Sequence, residues 1–172
     1  MNLRAADFPA LRTRRRTGRE GKRLETLIAS SSSPATALLT QVPTASRMIR
    51  TPRGLQAVQM KSPADFFGLH VASGRLIVID AKECAEKHRL VTNADHLAEH
   101  QRLELCRYGH AGAIAGLIAL RTTTGDLYFV SWRRLVKRVP SIQWDELPGI
   151  GSASFAVDWG RVVKAADEED GL

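Results

Sequence analysis

The chain has 172 residues, a net charge of +7 and two cysteines, and 44% of its residues are hydrophobic. The length suits a single domain with a hydrophobic core, and the hydrophobic content argues against a disordered chain. No apolar run approaches the roughly 18 to 20 residues that span a bilayer, and the first residues lack the apolar segment of a signal peptide, so we expect a cytoplasmic protein that does not enter a membrane. The two cysteines supply no disulfide framework, in agreement with a reducing compartment.

The positive charge is concentrated at the start of the chain. Residues 1–61 contain 12 Lys and Arg against 3 Asp and Glu, an excess of +9, whereas residues 62–172 carry 13 against 15, or −2. Such an asymmetry indicates a polyanionic partner, most commonly nucleic acid. Residues 1–18 lack apolar periodicity and are expected to form a flexible arm in which Arg14, Arg15 and Arg16 contact DNA; a merely solvated basic terminus is the alternative.

A short helix and a basic hairpin are predicted next. Leu24, Leu27 and Ile28 at helical spacing predict an amphipathic helix over residues 19–30. Residues 43–61 are predicted to form a protruding hairpin, which we call the stalk, with strands at residues 48–49 and 55–60. The basic residues of the stalk that are predicted to contact DNA are Arg47, Arg50, Arg53 and Lys61. An ordinary edge hairpin kept soluble by its arginines is the alternative.

Two carboxylates bracket the following hairpin. Residues 76–79 have the length and β-branched content of a buried strand, and Ser73-Gly74 supply the turn before it. Because side chains alternate along a strand, Asp80 and Lys82 point to the same face, and a hairpin would bring Asp65 alongside. Mg²⁺ prefers oxygen ligands, and phosphodiester cleavage needs a metal-activated water with a positive charge near the phosphate. This pattern predicts a nuclease.

The rest of the chain predicts an α/β arrangement around a mixed sheet flanked by helices. A helix is expected over residues 95–108, strands over residues 113–120 and Asp126–Ser131, and a short basic helix over Trp132–Val136. We therefore expect a nuclease domain over residues 19–140. Residues 141–172 are expected to form a C-terminal extension that packs loosely on the core and ends in an acidic tail.

The carboxylates and their surroundings resemble a known family. Asp65, fourteen intervening residues and then Asp80-Ala81-Lys82 resemble the PD-(D/E)XK nuclease signature. Over roughly residues 19–136 the chain is similar to RecU-type Holliday junction resolvases. The segments that carry this resemblance are Gly21-Lys22-Arg23-Leu24-Glu25, Lys61-Ser62-Pro63-Ala64-Asp65-Phe66-Phe67-Gly68, Asp80-Ala81-Lys82-Glu83 and Glu99-His100-Gln101.

The resemblance implies a restriction-endonuclease-like core and a set of site residues. Asp65 and Asp80 would hold Mg²⁺, with Mn²⁺ as the alternative ion. Gln101 would add to the metal shell, and Lys82 would stabilise the transition state or position the attacking water. Glu25, on the first helix, would support the site. The family implies a homodimer with paired sites that resolves four-way DNA junctions by paired nicking in recombination and repair, with the stalk engaging the junction.

The chain departs from the family pattern at two positions. Asp80 stands where this family usually has glutamate, which shortens the carboxylate by one methylene. Pro63 stands where cellular members carry a threonine that contributes to the metal shell, and a proline side chain cannot be a ligand.

Other interpretations remain open at this stage. The spacings Cys84-x₃-His88 and His96-x₃-His100 could suit a structural zinc ion. The chain could also be a non-catalytic DNA-binding module in which Asp80 and Lys82 form a structural ion pair. A nuclease of the same superfamily could instead act on flaps, forks or plain duplex.

Overall fold

The structure is a computed structural model that describes residues 20–43, 46–52, 54–59, 62–94, 96–154 and 156–171. Five of the residues predicted to contact DNA, namely Arg14, Arg15, Arg16, Arg53 and Lys61, lie outside these ranges.

The described residues form ten strands and four α-helices. The strands are β1 Ala37–Gln41, β2 Ser46–Thr51, β3 Gly54–Gln59, β4 Phe66–His70, β5 Leu76–Cys84, β6 Arg89–Val91, β7 Ile114–Arg121, β8 Asp126–Ser131, β9 Ser141–Gln143 and β10 Gly149–Ser152. The helices are α1 Glu20–Ser30, α2 Glu99–His110, α3 Trp132–Val136 and α4 Trp159–Asp170, with a 3₁₀ turn at Trp144–Glu146. None of the described helices has the length and apolar content needed to cross a membrane.

Six strands form a mixed central sheet in the order β1-β4-β5-β7-β8-β10. β5 and β7 pair in parallel, and the other neighbouring strands of this sheet pair antiparallel. The sheet is covered by helices on both faces, so the predicted α/β class and restriction-endonuclease-like core are confirmed.

The strict alternation of β5 and β7 sorts their side chains between two hydrophobic layers. Ile77 and Ile79 of β5 pack with α1 and α4, in a layer that contains Leu24, Ile28, Trp159 and Val162. Val78 and Cys84 of β5 pack with α2 and α3, in a layer that contains Leu105, Trp132 and Leu135. Asp80 and Lys82 therefore belong to the face covered by α2, as their even spacing from Val78 requires.

The stalk contains the predicted hairpin, which forms a sheet separate from the central one, and β2 is longer than the strand predicted over residues 48–49. β2 and β3 pair antiparallel over six residues each, from Ser46 opposite Gln59 to Thr51 opposite Gly54. Arg47 and Arg50 are both exposed. Because they are three residues apart on one strand, they lie on opposite faces of the hairpin.

The prediction that the residues after Pro140 pack loosely is wrong. β10 is a strand of the central sheet, and α4 buries Trp159 and Val162 in the core, at 2% and 0% exposure. The acidic end of α4 is tied to the rest of the molecule, because Asp167 forms an ion pair with Arg75 and Glu169 with Arg134.

The predicted end of one strand and the predicted start of one helix differ from the structure by several residues. The strand predicted to end near Ile79 continues as β5 to Cys84, since it pairs with β7 along its whole second half. The helix predicted from residue 95 begins at Glu99, because the backbone of Ala98 is extended, with φ −62° and ψ 142°.

Candidate active site

Asp65 is held beside the middle of β5 by the β4–β5 hairpin. Its backbone N–H donates to the carbonyl of Ile79 at 3.0 Å, which continues the strand pairing one step beyond β4. Its side-chain Oδ2 accepts a hydrogen bond from the backbone N–H of Ala81 at 2.8 Å. The carboxylate of Asp65 therefore lies against the segment that carries Asp80 and Lys82.

Asp80 is a buried carboxylate with a cation next to it. Its exposure is 0%, and its Oδ2 lies 2.8 Å from Nζ of Lys82, whose side chain is 20% exposed. The alternation of β5 places both side chains on one face, as predicted from their spacing. The structure thus brings Asp65, Asp80 and Lys82 together.

The environment of Asp80 favours its protonated form. The pKa of Asp80 is raised to about 7, mainly by burial and also by Asp65, which is near enough to share a hydrogen bond, whereas Lys82 lowers it. A carboxylate with a raised pKa beside a second carboxylate and a lysine is typical of functional sites, where burial and like charges are tolerated for chemistry.

Gln101 connects helix α2 to the site. Its Nε2 donates to Oδ1 of Asp80 at 2.5 Å, and its Oε1 accepts from the backbone N–H of Ala98 at 3.3 Å. Because Gln101 lies in the first turn of α2, the helix start is fixed to the buried carboxylate. The structure therefore places Gln101 next to Asp80, in contact through its amide nitrogen.

Glu25 lies beside the carboxylates, on the other helix layer. Its Oε2 accepts a hydrogen bond from Nε2 of Gln41 at 2.7 Å, which joins α1 to β1. Burial raises the pKa of Glu25, and the nearby charge of Asp65 raises it further, whereas Gln41 and Lys82 lower it. Glu25 is thus within electrostatic reach of Asp65 and Lys82.

Sequence reasoning missed the position of Glu83. Its Oε1 accepts a hydrogen bond from the backbone N–H of Leu24 in α1 at 3.1 Å. Alternation along β5 could have revealed this, because Glu83 must point away from Lys82 and toward the layer that contains α1. Glu83 thereby fixes α1, which carries Glu25, to the strand that carries Asp80 and Lys82.

The oxygen atoms at this site suit a hard divalent cation. Asp65 and Asp80 supply carboxylate oxygens, and the side-chain oxygen of Gln101 is close by. Oδ2 of Asp80 is fully buried and, although ion-paired with Lys82, accepts no hydrogen bond from the described residues. Mg²⁺ keeps several waters and is commonly held by one or two carboxylates, so this set fits the ion.

The zinc interpretation finds no support in the described residues, where no three His, Cys, Asp or Glu side chains gather in a way that could hold a metal. Cys84 is buried and its Sγ donates to the carbonyl of Arg89, while Nδ1 of His96 hydrogen-bonds to Oδ1 of Asn93.

The raised pKa of Asp80 predicts a pH-dependent stability of the metal-free protein. Because the pKa in the folded protein, about 7, exceeds its ordinary value of 3.8, the contribution of Asp80 to stability is full below pH 4 and is lost as the pH rises through 7. We therefore compare the free energy of unfolding of Asp80→Asn with that of the parent in EDTA. The difference in favour of Asp80→Asn should be larger at pH 8.5 than at pH 5 by roughly 2 to 3 kcal/mol. Urea unfolding at both pH values measures this, and an equal difference at both pH values would contradict it.

Comparison with known proteins agrees with this geometry. The model of the family "RecU: Recombination protein U" matches residues 19–159, which include every candidate catalytic and metal-binding residue and extend beyond the segments that carry the resemblance in the sequence. A separate comparison with curated proteins found no match. Since the family match covers most of its length, the chain belongs to the recombination protein U family, a family of Holliday junction resolvases.

Proposed function

We propose that this protein is a Mg²⁺-dependent endonuclease that resolves four-way DNA junctions by paired nicking, as a homodimer, in recombination and repair. The observation that carries the proposal is the convergence of Asp65, Asp80 and Lys82 on one face of β5, with the lysine Nζ 2.8 Å from the buried carboxylate. Mn²⁺ has the same preference for oxygen ligands and would serve in place of Mg²⁺.

In this proposal Asp65 and Asp80 hold the metal ion, with Gln101 beside them. When bound there, the ion would polarise the scissile phosphate and lower the pKa of a water. Lys82 is kept in place by its ion pair with Asp80, and its side chain stays partly exposed. The ammonium of Lys82 offsets the charge that grows on the phosphate oxygens in the transition state.

Gln101 has two possible roles that depend on its amide orientation. In the structure its nitrogen donates to Asp80 and so fixes the rotation of that carboxylate. Rotation of the amide by half a turn would present its oxygen to the same place, where it would act as a metal ligand as predicted. Glu25 contributes a further negative charge on the side of Asp65 and is proposed to support the site from α1.

The stalk is proposed to supply the contacts that distinguish branched DNA. Arg47 and Arg50 extend from opposite faces of the β2–β3 hairpin. A hairpin with a cation on each face suits a branch point, where backbone phosphates lie on both sides of the protein segment. One chain carries one Asp65–Asp80 pair and would nick one strand, so two opposed nicks require a symmetric pair of chains.

A cleavage assay tests this function. The purified protein is incubated with a mobile four-way junction, a replication fork, a flap and plain duplex, each with and without Mg²⁺, and the nicked strands are mapped on denaturing gels. We expect symmetric nicks on the junction alone, which require Mg²⁺. Equal cutting of forks, flaps or duplex would favour a different nuclease of the superfamily, and binding without cutting under all conditions would favour a non-catalytic DNA-binding module.

A further inference from the structure

A small basic cavity lies near the candidate active site, at the end of the sheet where β5 and β7 finish. It has a volume of about 220 Å³ and is lined by Lys87, His88, Arg121, Gln143, Trp144 and Asp145. We refer to it as the Arg121 cavity. Neither the family match nor the sequence pattern assigns it a role.

Arg121 is held in a fixed orientation at this cavity. Its guanidinium carbon lies 6.0 Å from the ring centroid of Trp144, and its Nη2 donates to the carbonyl of Lys87. Trp144 is itself 3% exposed and donates from Nε1 to the carbonyl of Glu86 at 2.9 Å. An arginine stacked on an immobile ring loses little further side-chain freedom when it binds an anion.

Arg121 also keeps hydrogen-bonding capacity. Its Nε is buried and has no hydrogen-bond partner among the described residues. A buried donor without a partner is unfavourable, so an acceptor that reaches it relieves that cost. The planar fork of arginine matches the oxygens of a phosphate group.

The cavity lies on the same face of the sheet as the candidate active site. Lys82 is opposite Ala119 in the β5–β7 register, and Cys84 is opposite Arg121. Arg121 is therefore one strand over and two residues further along than Lys82, which separates their Cα atoms by roughly 8 Å. That distance is comparable to the spacing of neighbouring phosphates on a nucleic acid strand.

The charges around the cavity favour an anion. Lys87, His88 and Arg121 line it with one carboxylate, Asp145. Exposed Arg89 begins β6, and its carbonyl accepts a hydrogen bond from Sγ of Cys84, the residue that lies opposite Arg121 on β5. Three basic side chains thus face one carboxylate at the cavity, and an exposed arginine begins the neighbouring strand.

We infer that the Arg121 cavity binds a backbone phosphate of the DNA strand close to the scissile phosphate. The inference rests on the proposed function, since it assigns to the same substrate a second contact that positions the strand over Asp65 and Asp80. Arg121 acts as a fork on the phosphate oxygens, and Lys87 adds a point charge at the rim.

The test measures junction affinity in a cleavage-deficient parent. In the full chain with Asp80→Asn, fluorescence anisotropy with a labelled four-way junction is recorded between about 50 and 200 mM salt. Arg121→Gln should lower the affinity several-fold and reduce the slope of log K against log salt by about 1, as expected for one lost phosphate contact. Lys87→Gln, at an exposed position, should act in the same direction, and Arg121→Lys should recover only part of the loss.

The matched control removes one charge elsewhere. Lys164 is 76% exposed on α4, on the opposite side of the sheet, and Lys164→Gln should leave the salt slope unchanged. Unchanged slopes in both the Arg121 and Lys87 variants would overturn the inference, even if Arg121→Gln were less stable. If the Asp80→Asn parent binds no junction, the proposed function fails and the inference with it.

A second arm separates DNA from free anions. Inorganic phosphate is added to the parent and to Arg121→Gln, and thermal unfolding is followed. Phosphate stabilisation that depends on Arg121, with junction affinity unaffected by the Arg121 and Lys87 substitutions, would identify a site for small anions and overturn the DNA assignment. Loss of junction affinity in those variants supports it.

Discussion

Asp80→Asn should reduce junction cleavage by at least about a thousandfold while leaving junction affinity within about threefold of the parent protein. Asparagine is nearly isosteric with aspartate and retains an oxygen toward Lys82, but it removes the negative charge needed to hold a divalent ion. The substitution also removes a charge from a buried position, so we do not expect it to lower the stability of the fold. Single-turnover cleavage rates in Mg²⁺, with affinities measured in EDTA, check both halves of the prediction.

The control for this prediction is Glu168→Gln, which makes the same change of charge on α4 at a side chain 66% exposed. It should cleave at the parent rate. Residual cleavage by Asp80→Asn within tenfold of the parent would show that Asp80 does not hold the metal ion, and the buried Asp80–Lys82 pair would then be a structural feature of a site located elsewhere.

Trp159→Ala should destabilise the protein by about 3 to 5 kcal/mol, which is a large part of the stability of a domain of this size. The side chain is 2% exposed in the layer between α4 and the sheet, and its Nε1 donates to the carbonyl of Ser31 at 3.1 Å. Truncation leaves a cavity and an unsatisfied carbonyl at the end of α1. Urea unfolding followed by circular dichroism measures the change.

Lys164→Ala serves as the comparison, because the same helix carries this side chain 76% exposed to solvent. Its effect should stay within about 0.5 kcal/mol. A loss below about 1 kcal/mol for Trp159→Ala would mean that α4 contributes little to the core, in line with the loose packing expected from the sequence.

The sequence was most informative where the hydrophobic pattern of a segment and the turn residues beside it indicated the same element. Asp126–Ser131 and Trp132–Val136 were predicted with the bounds that the structure has, because an apolar and aromatic segment follows a turn that contains Gly125 and a short basic segment follows the strand. The stalk was also predictable, since two short apolar segments flank a turn that contains proline and glycine.

Long-range contacts account for what the sequence did not reveal. β5 continues through the charged residues Asp80 to Glu83 because β7 pairs with it. The strand propensity of these residues alone does not predict this pairing. β6 and β9 are three residues each and exist through pairing with each other, about fifty residues apart in the chain. The acidic end of α4 looked solvated, but its partners Arg75 and Arg134 lie far away in the sequence.

In the candidate site too, some features follow from local sequence pattern and others from long-range contacts. Alternation alone placed Asp80 and Lys82 on one face, and the family resemblance pointed to Gln101, which the structure places in contact with Asp80. The burial of Asp80, the bond from Ala81 that orients Asp65 and the role of Glu83 in holding α1 depend on tertiary packing. The ligand and catalytic roles of these residues remain predictions.

The β2–β3 hairpin pairs with itself and, in the part of the chain that the structure describes, with no strand of the central sheet. Its length is therefore not coupled to the position of the carboxylates, which depend on β4 and β5. Insertion or deletion of two residues in each arm would lengthen or shorten the projection while keeping the cross-strand partners and the faces on which Arg47 and Arg50 lie, whereas a change of one residue in each arm would exchange those faces. Selection for different DNA branch geometries could thus act on this hairpin alone and leave the proposed active site unchanged.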